Sequence, residues 1–253
     1  MHLDHDPTLE DGRLEHHPLH LFKSAFNVGL LLFFLAACSA STPTTSVPPH
    51  PSVAATVQSS PTPTAPPSGT VLFQADWSHG VVGWQGTHGF QVVQGQLEAN
   101  SGSLSTLILP YQPTVSNYAL EIRIQVVRLL QPNSGYFTIF AMKAAGRDGY
   151  QAGVNGLEGS EPRPNGSHPQ AQVFIDPYSS TAPGSALPID YEPGFQPRTY
   201  RVEVQDNQAR LLVDDVQIGR ASSEQTETLS NGPLGLNTEQ LVLRVSSIRI
   251  LAL

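Results

Sequence analysis

Three short segments set amides, hydroxyls and aromatic rings at alternate positions, as a β-strand needs to present them on one face. Gln172, Phe174 and Asp176 share one phase, opposite Ala171, Val173 and Ile175. Gln151 and Asn155 share another, with Gly153 between them, and Tyr136 and Thr138 fit the same surface. Sugars are recognised by hydrogen-bonding side chains around an apolar surface on which a ring can stack. Phe174 or Tyr136 would supply that surface. The candidate ligand-binding set is therefore Tyr136, Thr138, Gln151, Asn155, Gln172, Phe174 and Asp176. An ordinary solvated sheet face, with Phe174 covered by a loop, is the simpler account of the same alternation.

Other residues offer less. Asp214 and Asp215, with Asp206 and Asn207 nearby, suggest calcium, which takes about six to eight oxygen ligands. Two adjacent turn aspartates supply too few, so a solvated hairpin is preferred and neither a metal nor a cofactor is expected. His168 stands alone in a loop of Pro, Gly and Asn. Residues 69–253 contain no G-x-S-x-G, no phosphate-binding loop and no ligand-spaced His/Cys set. No catalytic residues are assigned, and the chain is expected not to be an enzyme.

The elements that must position these side chains are strands. The chain has 253 residues, with 21 glycines and 22 prolines against 13% charged residues, which favours short strands joined by many turns. Tyr118–Val126 places Tyr118, Leu120, Ile122, Ile124 and Val126 on one face and Glu121, Arg123 and Gln125 on the other. Tyr200, Val202 and Val204 alternate with Arg201, Glu203 and Gln205 in the same way. Further strands are expected at 71–76, 90–93, 96–99, 105–109, 136–142, 150–154, 170–175, 209–213, 217–220 and 241–253. No segment keeps helical spacing over ten positions or more. Many strands without strand–helix alternation predict an all-β antiparallel sandwich. Between Leu157 and Arg198, eight prolines predict long loops over one rim, interrupted by one strand. The net charge of −8 and the absence of any Lys/Arg run exclude nucleic acid as a partner.

The N-terminal part has a different character. Val28–Cys38, VGLLLFFLAAC, is apolar for eleven residues. A helix needs about 20 to cross a bilayer, so this run does not span. It suits the core of a secretory signal, with Lys23 on its N-terminal side. Leu35-Ala36-Ala37-Cys38 resembles the lipobox of bacterial lipoproteins. That resemblance implies cleavage between Ala37 and Cys38, a diacylglyceryl thioether on Cys38, and acylation of the new N-terminus. Cys38 is the only cysteine, so no intrachain disulfide is possible. Residues 1–22 are acidic and carry His2, His5, His16, His17 and His20. A metal site is one reading of those histidines. A true translation start near Leu21 is preferred, because it leaves a compact signal. From Ser39 to Ser68, 21 of 30 residues are Pro, Ser or Thr and none is charged, which predicts a disordered, extended linker. The expected organisation is a signal peptide over 1–37, the lipidated Cys38 with its linker over 38–68, and one domain over 69–253.

Within that domain, LFQADWSHGVVGWQ (72–85), NYALEIRIQV (117–126), TYRVEVQDNQARLLVDDVQIGR (199–220) and GPLGLNTEQLVLRVSSIRIL (232–251) resemble concanavalin A-like modules. The resemblance implies a jelly-roll β-sandwich related to laminin-G and 3-keto-disaccharide hydrolase-like domains, which mostly meet carbohydrate. It places Trp77 and Trp84 where the first and last strands close the sandwich, so core packing is preferred for both over sugar stacking. Asp214-Asp215 stands where such modules commonly have Asp-Gly, so that turn must hold a left-handed non-glycine residue. Glucanases of this fold carry a Glu-x-Asp-x-x-Glu strand, because retaining hydrolysis needs two carboxyls about 5–5.5 Å apart. Glu121-Ile-Arg-Ile-Gln has arginine and glutamine in those places.

The combined expectation is an extracytoplasmic lipoprotein, held on the membrane by its lipid, whose sandwich binds a polysaccharide, cell-envelope glycan or other surface partner without catalysis. The alternatives are a glycoside or 3-keto-disaccharide hydrolase-like enzyme using loop carboxylates such as Asp176, Asp190 or Glu192, and a structural surface protein without a small ligand.

Overall fold

The computed structural model describes residues 65–132, 134–157, 168–175 and 189–253. The expectations for the signal segment, Ala37, Cys38, most of the linker and Asp176 lie outside them. In chain order the strands are β1 (Val71–Gln74), β2 (Phe90–Val93), β3 (Gln96–Ser101), β4 (Ser105–Ile108), β5 (Tyr118–Leu129), β6 (Gly135–Ala141) and β7 (Tyr150–Leu157). Then follow β8 (Gln170–Ile175), β9 (Ile189–Asp190), β10 (Arg198–Gln205), β11 (Gln208–Val213), β12 (Val216–Ser222), β13 (Leu234–Glu239) and β14 (Leu241–Ala252). Buried and accessible side chains alternate along β3, β4, β8 and β10, whereas β6 and β13 are buried on nearly every position of both phases. There is no helix among the described residues.

The strands form two antiparallel sheets. The eight-stranded sheet runs β12-β11-β10-β5-β14-β3-β2, with β1 also paired to β14. The six-stranded sheet runs β4-β13-β6-β7-β8-β9. This is the all-β jelly-roll sandwich expected from the sequence. Two strands were not foreseen as such, β13 and the short β9.

Inward phases meet between the sheets. Leu120, Ile122 and Ile124 of β5, with Leu243, Ile248 and Ile250 of β14, face Phe137 and Ile139 of β6 and Val154 of β7 in one core cluster. Burying each such side chain contributes about 1.5–3 kcal/mol. Two tyrosine contacts tie the layers. The Tyr200 ring of β10 meets Phe137 edge-on at 4.9 Å. The Tyr118 hydroxyl of β5 donates to the Ser230 carbonyl at 2.9 Å and lies 3.2 Å from the Tyr150 hydroxyl of β7. Burial pushes both of these phenols well above their ordinary pKa, so they stay neutral donors and acceptors.

The β11–β12 turn resolves the Asp-Asp departure. Asp214 and Asp215 both have positive φ, 47° and 66°, as a tight two-residue hairpin demands. Asp214 spends its carboxylate on the turn: Oδ1 accepts from the Thr199 N–H and Oδ2 from Arg198, both at 2.9 Å.

Candidate functional site

On the six-stranded sheet, the face turned away from the core is built from cross-strand rows. One row runs Thr106, Asn237, Thr138, Gly153, Gln172 across β4, β13, β6, β7 and β8. The next runs Ile108, Gly235, Phe140, Gln151, Phe174 over the same strands. Thr138, Gln151, Asn155, Gln172 and Phe174, named from alternation alone, therefore share one face, and Gln151 is the register partner of Phe174. Tyr136 sits at the irregular start of β6, opposite Glu239 of β13.

Two glycines shape this face. A β-carbon on Gly153 would lie 2.1 Å from the Phe137 carbonyl oxygen, so β6 and β7 approach too closely there for any side chain. A β-carbon on Gly235 would lie 2.3 Å from Phe140 Cζ, because the Phe140 ring lies over that strand. Phe140 is buried, yet it stands outside the core cluster between the sheets.

Some of the amides are already engaged with one another. Thr106 Oγ1 donates to Asn237 Oδ1 at 2.7 Å, and Asn155 Nδ2 donates to Gln172 Oε1 at 2.9 Å. Thr138 differs. Its Oγ1 is buried and has no hydrogen-bond partner, although the row places it between Asn237 and Gly153. An unpaired buried hydroxyl costs about 1–3 kcal/mol. Strands β4, β6, β7 and β8 carry no charged residue.

Sequence reasoning missed Asn237, Thr106, Phe140 and Gln170 on this face. Gln170 has the phase of Gln172 and was within reach. Asn237 was hidden because β13 itself was not foreseen.

The eight-stranded sheet turns a charged face outward. Glu98 accepts from Arg244 Nε at 3.1 Å, and Glu121 accepts from Arg249 Nε at 3.2 Å. Glu203 lies 3.0 Å from Arg201 and 3.1 Å from Arg210. Glu121, the one carboxylate of the strand that resembles the glucanase strand, is thus held by an arginine.

Of the loop carboxylates, Asp190 is exposed in β9 and Glu192 is exposed, accepting from the Gly194 N–H at 3.1 Å. The buried Asp148 accepts from Ser223 Oγ at 2.5 Å, and that same hydroxyl accepts the N–H groups of Gln225 and Thr226. This cluster binds the 223–226 turn to the β6–β7 connection. Among the described residues no group of three or more His, Cys, Asp or Glu side chains could hold a metal ion. Trp77 belongs to the core and Trp84 packs against it, their rings 5.1 Å apart, while Phe73 stacks on Tyr111 at 5.3 Å. Both tryptophans therefore pack in the fold.

The sheets and their connections define a concanavalin A-like jelly roll. No protein-family model and no curated protein sequence matches the chain. Among solved structures, the chain resembles a protein of unknown function with a galectin-like fold from Bacillus subtilis. The two are 10% identical, with a TM-score of 0.54 over 74% of this chain and 97% of that one. It also resembles an endo-β-1,3-glucanase from Pyrococcus furiosus, 12% identical, with a TM-score of 0.50 over 73% of this chain and 94% of that one. The laminarinase from Rhodothermus marinus is likewise 12% identical, with a TM-score of 0.50 over 73% of this chain and 97% of that one. At these identities the likeness is one of fold.

Proposed function

We propose that this chain binds carbohydrate without catalysis, through the face of the six-stranded sheet turned away from the core. The observation that carries the proposal is the uncharged face on which Gln151, Asn155, Gln172 and Phe174 stay accessible beside the buried row Asn237, Thr138, Gly153. Phe140, Gln151 and Phe174 run beside that row. Neutral amides and hydroxyls are cheaper to strip of water than charges, and they match the hydroxyl groups of a neutral sugar. Phe174, half-buried, offers the ring on which a sugar would stack. The shared fold of an endo-β-1,3-glucanase and a laminarinase supports a glycan as the class of ligand, at the level of architecture.

Catalysis is left out of the proposal because Glu98, Glu121 and Glu203 each lie against arginine. The lipobox-like Leu35–Cys38 and the Pro/Ser/Thr tract after it support an extracytoplasmic protein tethered to the membrane through Cys38. The test is a pull-down of the full-length protein on insoluble polysaccharides, β-glucans among them, comparing bound with free protein. Saturable binding to one glycan, weakened about tenfold or more by Phe174→Ala, is expected, since a stacked ring contributes about 0.5–1.5 kcal/mol beyond its buried area. No binding across the panel, or binding indifferent to Phe174→Ala, would sink the assignment to this face.

A further inference from the structure

A cavity lies on the eight-stranded sheet. It measures about 200 Å³ and is lined by Gln96 of β3, Arg123 and Gln125 of β5, Arg244 and Ser246 of β14, and Pro197. Its shape follows from an irregularity. The register of β14 shifts between Val245 and Ser247, and the inward phase jumps from Val245 to Ile248, so Ser246 is an extra residue in the strand. Such a bulge re-aims side chains locally. Opposite it, Gln125 Nε2 donates to the Phe195 carbonyl at 3.1 Å and holds the loop that forms the cavity's other wall. Phe195 in that loop is 45% exposed.

The lining contains two guanidinium groups and no carboxylate. Arg244 uses its Nε on Glu98. Arg123 donates from Nη1 to Thr199 Oγ1 at a long 3.4 Å and forms no ion pair among the described residues. The strands of this sheet lean the same way: Arg123, Arg201, Arg210, Arg220, Arg244 and Arg249 outnumber Glu98, Glu121 and Glu203, and Asp214, the further carboxylate near Arg123, is paired with Arg198. In a chain of net charge −8, that is a local reversal of sign. Two guanidinium groups with amide and hydroxyl neighbours are suited to an oxyanion, which arginine binds through parallel N–H donors.

We propose that this groove is a second ligand site that takes an anionic group carried on a polysaccharide, either a uronate carboxylate or a sulfate ester. The exposed Phe195 stands beside it as a surface for the sugar ring. The site lies on the other sheet from the neutral-sugar face, so either assignment can fail alone.

The test is affinity electrophoresis of the full-length protein in gels containing polygalacturonate, dextran sulfate or a neutral β-glucan, with inorganic phosphate as a soluble competitor. Retardation by polygalacturonate alone assigns the carboxylate, and by dextran sulfate alone the sulfate. Either retardation should weaken with added salt, since the groove is open to solvent and screened. Arg123→Gln should raise the apparent dissociation constant about tenfold while leaving any retardation by β-glucan and the thermal midpoint in place. Arg244→Gln, which also releases Glu98, serves as the second variant. Retardation by neither acidic polymer, retardation unchanged in both variants, or retardation that inorganic phosphate does not relieve would each overturn the proposal.

Discussion

On the eight-stranded sheet, Glu98, Glu121 and Glu203 each lie against arginines of neighbouring or cross-strand positions, whereas on the six-stranded sheet β4, β6, β7 and β8 carry no charge at all. Both faces obey the same rule, that a polar group leaving water needs a partner. They meet it differently. The charged face pairs with itself, which leaves its carboxylates committed and its few uncommitted guanidinium groups available only to an anion. The neutral face pairs in part, through Thr106–Asn237 and Asn155–Gln172, and leaves Thr138 unmatched. The carboxylates of these pairs are only 14–15% exposed, so the arginines offset the cost of taking a charge out of water. Removing one of those arginines would leave a mostly buried carboxylate unpaired, whereas β4, β6, β7 and β8 hold no charge to strand.

The sharpest way to break this contrast is at Gly153. The neutral face can exist only if β6 and β7 pass closely beneath it, and a β-carbon at 153 would meet backbone atoms, 2.1 Å from Phe137 O and 2.7 Å from Thr138 Cα. Backbone cannot rotate away as a side-chain tip can. Gly153→Ala is expected to destabilise by about 3 kcal/mol, the upper end of overpacking costs. Chemical denaturation measures it. A change under about 0.5 kcal/mol, the range of ordinary surface substitutions, would mean that the close approach is not essential.

A subtler variant separates folding from recognition on the same face. Thr138→Val keeps the shape and removes a hydroxyl that has no partner. The fold should gain up to about 1 kcal/mol, because an unsatisfied buried donor is removed, while glycan affinity should change by less than about twofold, because that oxygen has no surface a ligand can reach. Thermal melts and the polysaccharide pull-down together read both. Loss of stability would show that the hydroxyl has a partner in the folded protein, and a tenfold loss of affinity that the face must open to bind.

These two positions also show what the sequence disclosed. Alternation in 170–175 and 118–126 placed Gln172, Phe174 and Leu120 on their correct faces, because a strand buried on one side writes its phase directly into residue types. β13 escaped because Gly235 and Asn237 are poor strand residues by propensity. Gly235 is there for a tertiary reason, the Phe140 ring lying over it, and no local rule reports that. Nor does the chain order disclose that β13 inserts between β4 and β6, which is what brings Asn237 beside Thr138. The face was half legible: its residue chemistry was visible, its assembly was not. The anion groove was illegible altogether, since it joins Gln96, Arg123 and Arg244 from three strands far apart in sequence and depends on the bulge at Ser246.

The smallest expected effect concerns acid. Asp214 is held below its ordinary pKa first by the Thr199 N–H and then by Arg198, at the end of the charged sheet. Asp76 is lowered by the N–H and hydroxyl of Ser78. A carboxylate whose folded-state pKa lies below its unfolded value of about 3.9 binds fewer protons when folded. Its stabilisation is therefore complete above that unfolded value and is lost as pH falls through the lower folded one. Asp76 and Asp214 thus give no slope near neutrality and a decline below about pH 4. Asp214→Asn should cost under about 1 kcal/mol at pH 7, because its pair with Arg198 is exposed, and should flatten part of the acid decline. Thr138→Val should leave the decline untouched, since strands β4, β6, β7 and β8 hold no carboxylate to titrate. Melting midpoints recorded from about pH 3 to pH 7 for the three proteins distinguish these slopes. An acid decline in Asp214→Asn as steep as in the parent would remove the turn aspartate from the account and place the sensitivity in carboxylates elsewhere.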